Sequence, residues 1–289
     1  MVKNLFKLYR IPQWIKNLFV FVPLIFSKHL FDQNYFLSAS LAFLIFCFAS
    51  SFVYIINDIV DVESDKLHRT KKNRPIAAGL ITRANAMNSA IGFIILILIL
   101  MQNFNFYFMI SVSTFLILNV LYSFFLKNIV LLDIFSIAAG FMIRVFAGAF
   151  AINVEISSWL ILTTMFISLF LAVMKRRSEL SLVENTEFAA TRKVLGQYSK
   201  SFTDQMGTIA SAGVIVCYAL YTVSERTVSV FQTDKLIYTT PFVVFGIFRY
   251  MYLVYINKKG ENTTQLLITD PAMIINVILY LLTTTLIIY

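Results

Sequence analysis

Four side chains in the stretch YIINDIVDVESD carry the densest potential chemistry in the chain. Laid on a helix at about 100° per residue, Asn57, Asp58, Asp61 and Asp65 share roughly a quarter-turn arc, while Glu63 points the other way. Three carboxylates on one face repel each other, and near a bilayer they are costly unless a cation or a polar cavity compensates them. Hard oxygen donors on a scaffold with few other ligands suit Mg²⁺, which keeps several waters and bridges to substrate phosphates. Lys66, Arg69, Lys71, Lys72 and Arg74 follow directly, and such groups hold phosphate oxygens. The tendency of cytoplasmic loops to be basic accounts for these cations, but not for the one-sided acids.

Two further stretches carry polar groups out of place in apolar surroundings. In LYSFFLKNIVLLDIFSIAAGFMIRVFAGAFA, Tyr122, Lys127 and Asp133 surround a short connection, and Arg144 lies three turns beyond Asp133 on nearly the same helical face. An arginine at that depth marks a functional site or a buried partner. Gly140 and Gly148, among alanines, allow close helix packing beside it. In MKRRSEL, Lys175, Arg176 and Arg177 form a candidate phosphate clamp at the end of an apolar run. Arg249 is a further cation that can face a cavity. No glycine-rich nucleotide loop, His/Cys metal set or nucleophile elbow is present.

The elements that must position these groups are membrane helices. The 289 residues are 59% hydrophobic and 13% charged, with mean hydropathy +0.79, which excludes a soluble globular chain. Apolar runs long enough to cross about 30 Å predict nine spans at 17–33, 36–57, 85–102, 105–124, 132–151, 157–175, 205–223, 237–256 and 270–288. The span at 17–33, interrupted by Pro23, is the weakest. Residues 1–16, with Lys3, Lys7, Arg10 and Lys16 among Leu, Phe and Tyr, predict an amphipathic helix on the cytoplasmic surface. The whole of 1–289 is expected to be one integral membrane domain.

Charge fixes the expected orientation. Most of the 24 Lys and Arg fall in the N-terminus and alternate loops, leaving Lys28, Arg226 and Lys235 on the other side. That puts the N-terminus and the acidic cluster in the cytoplasm. The net charge of +9 is explained by this flanking pattern, so no nucleic-acid partner is expected. Cys47 and Cys217 lie inside apolar runs, without disulfide or metal spacing. The N-terminus lacks the features of a cleaved signal peptide.

At the end of the second span, NDIVDVESD resembles the first aspartate-rich motif, NDxxDxxxD, of the UbiA superfamily of intramembrane prenyltransferases. The resemblance covers essentially the whole chain and implies an all-α, nine-helix bundle with a cytoplasmic-side active-site cavity and Mg²⁺ as cofactor. Where most members carry a second aspartate motif near the end of helix 6, this chain has KRRSEL. DKLHRTKKNRPIAAG, YSFFLK, GFMIRVFAGA and KRRSEL are similar instead to the branch whose donor is phosphoribosyl diphosphate and whose acceptor is a polyprenyl phosphate. Arg69 stands where that branch carries proline.

That resemblance implies a bacterial inner-membrane enzyme of cell-envelope synthesis. Asn57, Asp58, Asp61 and Asp65 would hold Mg²⁺ on the departing diphosphate; Asp58, Asp61 and Arg144 would be catalytic. Lys72, Arg74, Tyr122 and Lys127 would orient donor phosphates, and Arg144, Lys175, Arg176 and Arg177 the 5-phosphate or the acceptor phosphate. Two alternatives share the sequence features: a prenyl diphosphate donor with an aromatic acceptor, and a cation-coupled transporter. Against the transporter, the acids sit at a helix end and not at the midplane, and no paired broken helices are evident.

Overall fold

The computed structural model describes residues 2–67, 71–183, 193–256 and 269–289. Helix α1 is Val2–Tyr9; a 3₁₀ run, Ile11–Phe21, leads into α2, Val22–Ile25. Then come α3 Gln33–Val60, α4 Val62–Leu67, α5 Arg83–Met101, α6 Phe106–Phe124 and α7 Leu132–Ala151. The chain continues with α8 Ser158–Val183, α9 Lys200–Val223, α10 Glu225–Phe231, α11 Thr240–Tyr255 and α12 Pro271–Ile288. Eight helices among the described residues are long and apolar enough to cross a bilayer: α3, α5 to α9, α11 with the short 3₁₀ turn before it, and α12. The chain is a multi-pass helical membrane protein.

The long helices begin where polar caps permit. Asp32, Thr82, Asn105, Ser199 and Asp270 each accept a backbone N–H from the first turn of α3, α5, α6, α9 and α12 respectively. Eight predicted spans correspond to these helices, within a few residues at most ends, with α8 running eight residues past the predicted 175 and α9 starting five before the predicted 205. The ninth, 17–33, differs: it is 3₁₀ backbone to Phe21 and then a single α turn. Pro12 opens the first piece and Pro23 the second, and each proline removes an N–H that an uninterrupted α-helix needs. The predicted amphipathic helix is likewise shorter than 1–16, because Arg10 adopts a left-handed conformation (φ 51°) that ends α1.

The chain divides into two compact units. The first comprises residues 1–24, 32–129 and 143–154. In it α1 is docked rather than free, with Leu8 fully buried among Ile55, Val62, Ile76, Ala86 and Ala90. The 3₁₀ run and α7 approach so closely that a Cβ on Gly148 would lie 2.1 Å from the Val20 carbonyl oxygen. The second unit comprises residues 25–31, 130–142 and 155–289, around a core that includes Ile134, Phe170, Met174, Val214, Ile247 and Tyr250. Gly207 and Gly213 of α9 receive Met174 and Phe166 of α8.

The contact at Gly148 is with backbone, which cannot rotate away. Gly148→Ala is therefore expected to cost stability at the upper end of overpacking effects, about 1–3 kcal/mol, read as a lowered midpoint of thermal unfolding in detergent.

Candidate active site

The acidic cluster is built by a helix that almost continues through its own end. The Asp61 N–H donates to the Asn57 carbonyl at 2.9 Å, and the Asp65 N–H to the Asp61 carbonyl at 2.8 Å, so helical hydrogen bonding carries on from α3 into α4. The predicted sidedness follows. Asp58 and Asp65 are buried, Asn57 and Asp61 half-buried, and Glu63 is exposed on the other side, paired with Lys66 at 3.1 Å and Arg83 at 2.5 Å. The hydrogen bond and charge of Lys66, followed by the charge of Arg83, hold the Glu63 carboxyl below its ordinary range.

Each carboxylate on the shared face meets a cation of the first unit. Arg74 Nη1 lies 3.1 Å from Asp58 Oδ1 and 2.6 Å from Asp65 Oδ2, bridging the two. Arg10 donates to the same Asp58 Oδ1 and stacks over the Tyr54 ring at 4.7 Å. Lys127 Nζ is 2.9 Å from Asp61 Oδ1. The sequence predicted Arg74 and Lys127 near phosphates; the structure brings both onto the acids. Lys72 is exposed, in the 3₁₀ turn Lys71–Asn73. Arg69 lies outside the described residues.

Arg10 was assigned by sequence only to a surface helix, and it reaches the site because the segment around it is pinned. Ser51 Oγ donates to the Tyr9 carbonyl at 2.9 Å and accepts from Trp14 Nε1 at 3.0 Å, while the Tyr9 ring meets Phe93 edge-on at 4.9 Å. The left-handed turn at Arg10 then aims its side chain at α3. Just beyond, Lys16 feels the charges of Arg144, Arg10 and Tyr122; burial first, then the two arginines, lowers its pKa to about 8. Tyr122, half-buried in the last turn of α6, thus belongs to the same neighbourhood.

Arg144 is buried in this unit as predicted. Its Nε donates to Asn17 Oδ1 at 2.7 Å, its Nη2 to Ser50 Oγ at 3.3 Å, and its guanidinium lies over the Phe115 ring at 4.5 Å. Asn17 also donates to Cys47 Sγ at 3.4 Å. Asn17, missed by the sequence reading, was legible in one respect: Lys16-Asn17 is a polar pair inside an apolar run.

The residues Lys175, Arg176 and Arg177 belong to the second unit, and two of them are held by acids there. Arg176 is fully buried, with Nε 2.7 Å from Asp133 Oδ2 and Nη1 on Glu179. Asp133, equally buried, also accepts from Tyr198 Oη at 2.6 Å, and Tyr198 Oη in turn accepts the Leu131 N–H at 2.7 Å. Burial and the hydrogen bond donated to Asp133 push the Tyr198 phenol up, so it keeps the proton it donates. Arg176 is thus an interior support and not a surface clamp. Arg177 is half-buried, 2.6 Å from Asp204 Oδ1, and Lys175 is half-buried. Arg249 grips both oxygens of Asp270 at 3.0 and 2.8 Å, fixing the cap of α12, so it serves the packing of α11 on α12.

The donor set fits a hard divalent cation in chemistry. Asp58 Oδ2 is buried and has no hydrogen-bond partner among the described residues, which leaves it available to a ligand. The carboxylates are not gathered around a common point, however: among the described residues no three acidic, His or Cys side chains converge closely enough to hold a metal. Each acid is turned toward its cation.

The sequence profile of the UbiA prenyltransferase family matches residues 19–276. A decaprenyl-phosphate phosphoribosyltransferase of Mycolicibacterium smegmatis is 36% identical over 229 residues, covering 78% of this chain and 72% of that one. Its namesake in Corynebacterium glutamicum is 35% identical over 222 residues, covering 75% and 67%. Among solved structures, a UbiA homolog from Archaeoglobus fulgidus bound to GPP and Mg²⁺ superposes with a TM-score of 0.72 over 99% of both chains, at 18% identity.

The buried pair in the second unit gives a test that separates support from substrate binding. Arg176→Met is expected to destabilise the protein by about 3–5 kcal/mol, because it strands Asp133 without its partner. Adding Asp133→Leu is expected to recover most of that loss in the same unfolding assay. An Arg176→Met protein as stable as wild type would show that the pair supports nothing.

Proposed function

This chain belongs to the UbiA prenyltransferase family, and we propose that within it the protein transfers the 5-phosphoribosyl group of phosphoribosyl diphosphate to a polyprenyl phosphate. The products are a polyprenylphosphoryl 5-phosphoribose and diphosphate. The observation that carries this reading is the 35–36% identity, over most of both chains, to relatives named for that transfer. The residues agree with it: one acidic cluster with several cations around it, and KRRSEL without an aspartate pair at the end of α8.

The C1–oxygen bond to diphosphate breaks with its electron pair leaving on diphosphate, and an acceptor phosphate oxygen forms the new bond from the opposite face. Mg²⁺, held by Asp58 and Asp61 with Asn57 and Asp65 beside them, would neutralise the leaving charge. Arg74 and Lys127, already in hydrogen-bonding reach of these acids, orient the diphosphate, with Lys72 and Tyr122 at its edge. Arg144, buried on Asn17 and Ser50, is fixed in direction and meets the 5-phosphate or the acceptor phosphate. In the second unit Lys175 and Arg177 keep exposed surface and stay candidates for an anion; Arg176, wholly buried, leaves the phosphate-binding set. The acceptor is already anionic near neutral pH, so no side chain need act as general base.

The basic N-terminus and alternate loops support a site on the cytoplasmic face of a bacterial inner membrane, where soluble phosphoribosyl diphosphate is available and the acceptor arrives through the lipid. Labelled phosphoribosyl diphosphate, offered with polyprenyl phosphates to the purified protein, is expected to pass label into the lipid fraction and to stop doing so with EDTA. Asp58→Asn and Asp61→Asn are expected to slow transfer by about 100-fold or more in folded protein. Transfer from a prenyl diphosphate to an aromatic acceptor, with no labelled lipid from any phosphoribosyl donor, would overturn the assignment.

A further inference from the structure

Resting on that reading of the site, we infer that Arg10, Arg74 and Lys127 form an interlock that keeps a bare divalent cation off the acids and admits it only together with a diphosphate. The three carboxylates Asp58, Asp61 and Asp65 are matched one for one by these three cations, so the cluster is neutral as it stands. Asp58 Oδ1 alone receives both guanidinium groups, and Asp58 is 1% exposed.

A divalent cation arriving by itself can reach Asp58 Oδ2, but to gather Asp58 Oδ1 and Asp65 Oδ2 as well it must displace Arg10 and Arg74 and then sit close to both. It gains ligands but leaves two partly buried cations without their acids and beside a new positive charge, and both effects oppose binding. A diphosphate reverses the balance. Its oxygens accept from the released arginines and from Lys127, so each cation exchanges a carboxylate for a phosphate while the carboxylates turn to the metal. The pairing of each acid with a cation is the arrangement this exchange starts from, and Asp58 Oδ2 is an oxygen available to begin it.

Arg10 is the member that makes the interlock a property of the N-terminal segment. Its partly exposed side chain, 23%, can leave Asp58 by rotation while Tyr9, Ser51 and Trp14 keep its backbone in place. By linkage, whatever factor the diphosphate adds to metal affinity, the metal adds to diphosphate affinity.

Mn²⁺ binding followed by electron paramagnetic resonance tests this on the full chain in detergent, with and without inorganic diphosphate. The wild type is expected to bind Mn²⁺ at least about 5-fold more tightly with diphosphate than alone, after subtraction of the complex formed in solution. Arg10→Gln is expected to tighten binding of Mn²⁺ alone and to shrink the diphosphate effect toward 1, with Arg10→Lys intermediate. Arg74→Gln is a second variant with the same expectation. Equal Mn²⁺ affinity with and without diphosphate in the wild type, or weaker binding of bare Mn²⁺ to a folded Arg10→Gln protein, would overturn the interlock while leaving the metal site standing. Mn²⁺ binding unaffected by Asp58→Asn under both conditions would instead overturn the site on which it rests.

Discussion

A carboxylate taken out of water at the edge of a membrane keeps its charge only if a cation or a metal shares its space, and the first unit of this protein is arranged around that demand at Asp58. The aspartate lies in the last turn of a long apolar helix whose sequence carries it out of solvent. Two arginines from opposite directions in the chain then converge on it, one from ahead of the helix and one from the loop behind. The docking of α1 through Leu8, the left-handed turn at Arg10 and the anchoring of Ile76 beside the loop of Arg74 all keep those cations within reach.

The second unit answers the same demand in a different way. Asp133 and Arg176 are both excluded from water and are closed by Tyr198 and Glu179, so the charges are consumed internally. Around Asp58, by contrast, Arg10 and Arg74 keep part of their surface. The difference between a supporting pair and a working one lies in that remaining access, not in which residue types are present.

Periodicity and composition made the long helices legible, and the arc shared by residues 57 to 65 holds because i to i−4 hydrogen bonds continue across Asp61 from α3 into α4. Arg144 could be singled out because an arginine among apolar residues has few innocent explanations. The 17–33 run is apolar as expected, but hydropathy counts residues and not hydrogen bonds, and it does not show that the stretch Ile11–Ile25 is 3₁₀ backbone followed by one α turn at Pro23. Arg10 was assigned to the wrong environment, since a single positive φ decides its direction and an arginine carries no sequence sign of it. Arg176 looked like its neighbours Lys175 and Arg177, and only the helical phase relative to Asp133 and Tyr198 separates an inward side chain from half-exposed ones.

The order in which the chain is synthesised treats the two buried aspartates differently. Arg10 is made before Asp58, so when α3 enters the bilayer its terminal acid already has a cation upstream, with Arg74 emerging soon after. Asp133 is made before Arg176, and α7 must be handled by the insertion machinery while its partner is still unmade. Leu132–Ala151 therefore carries its acid, near the start of the helix, unpaired with Arg176 until the end of α8 has left the ribosome.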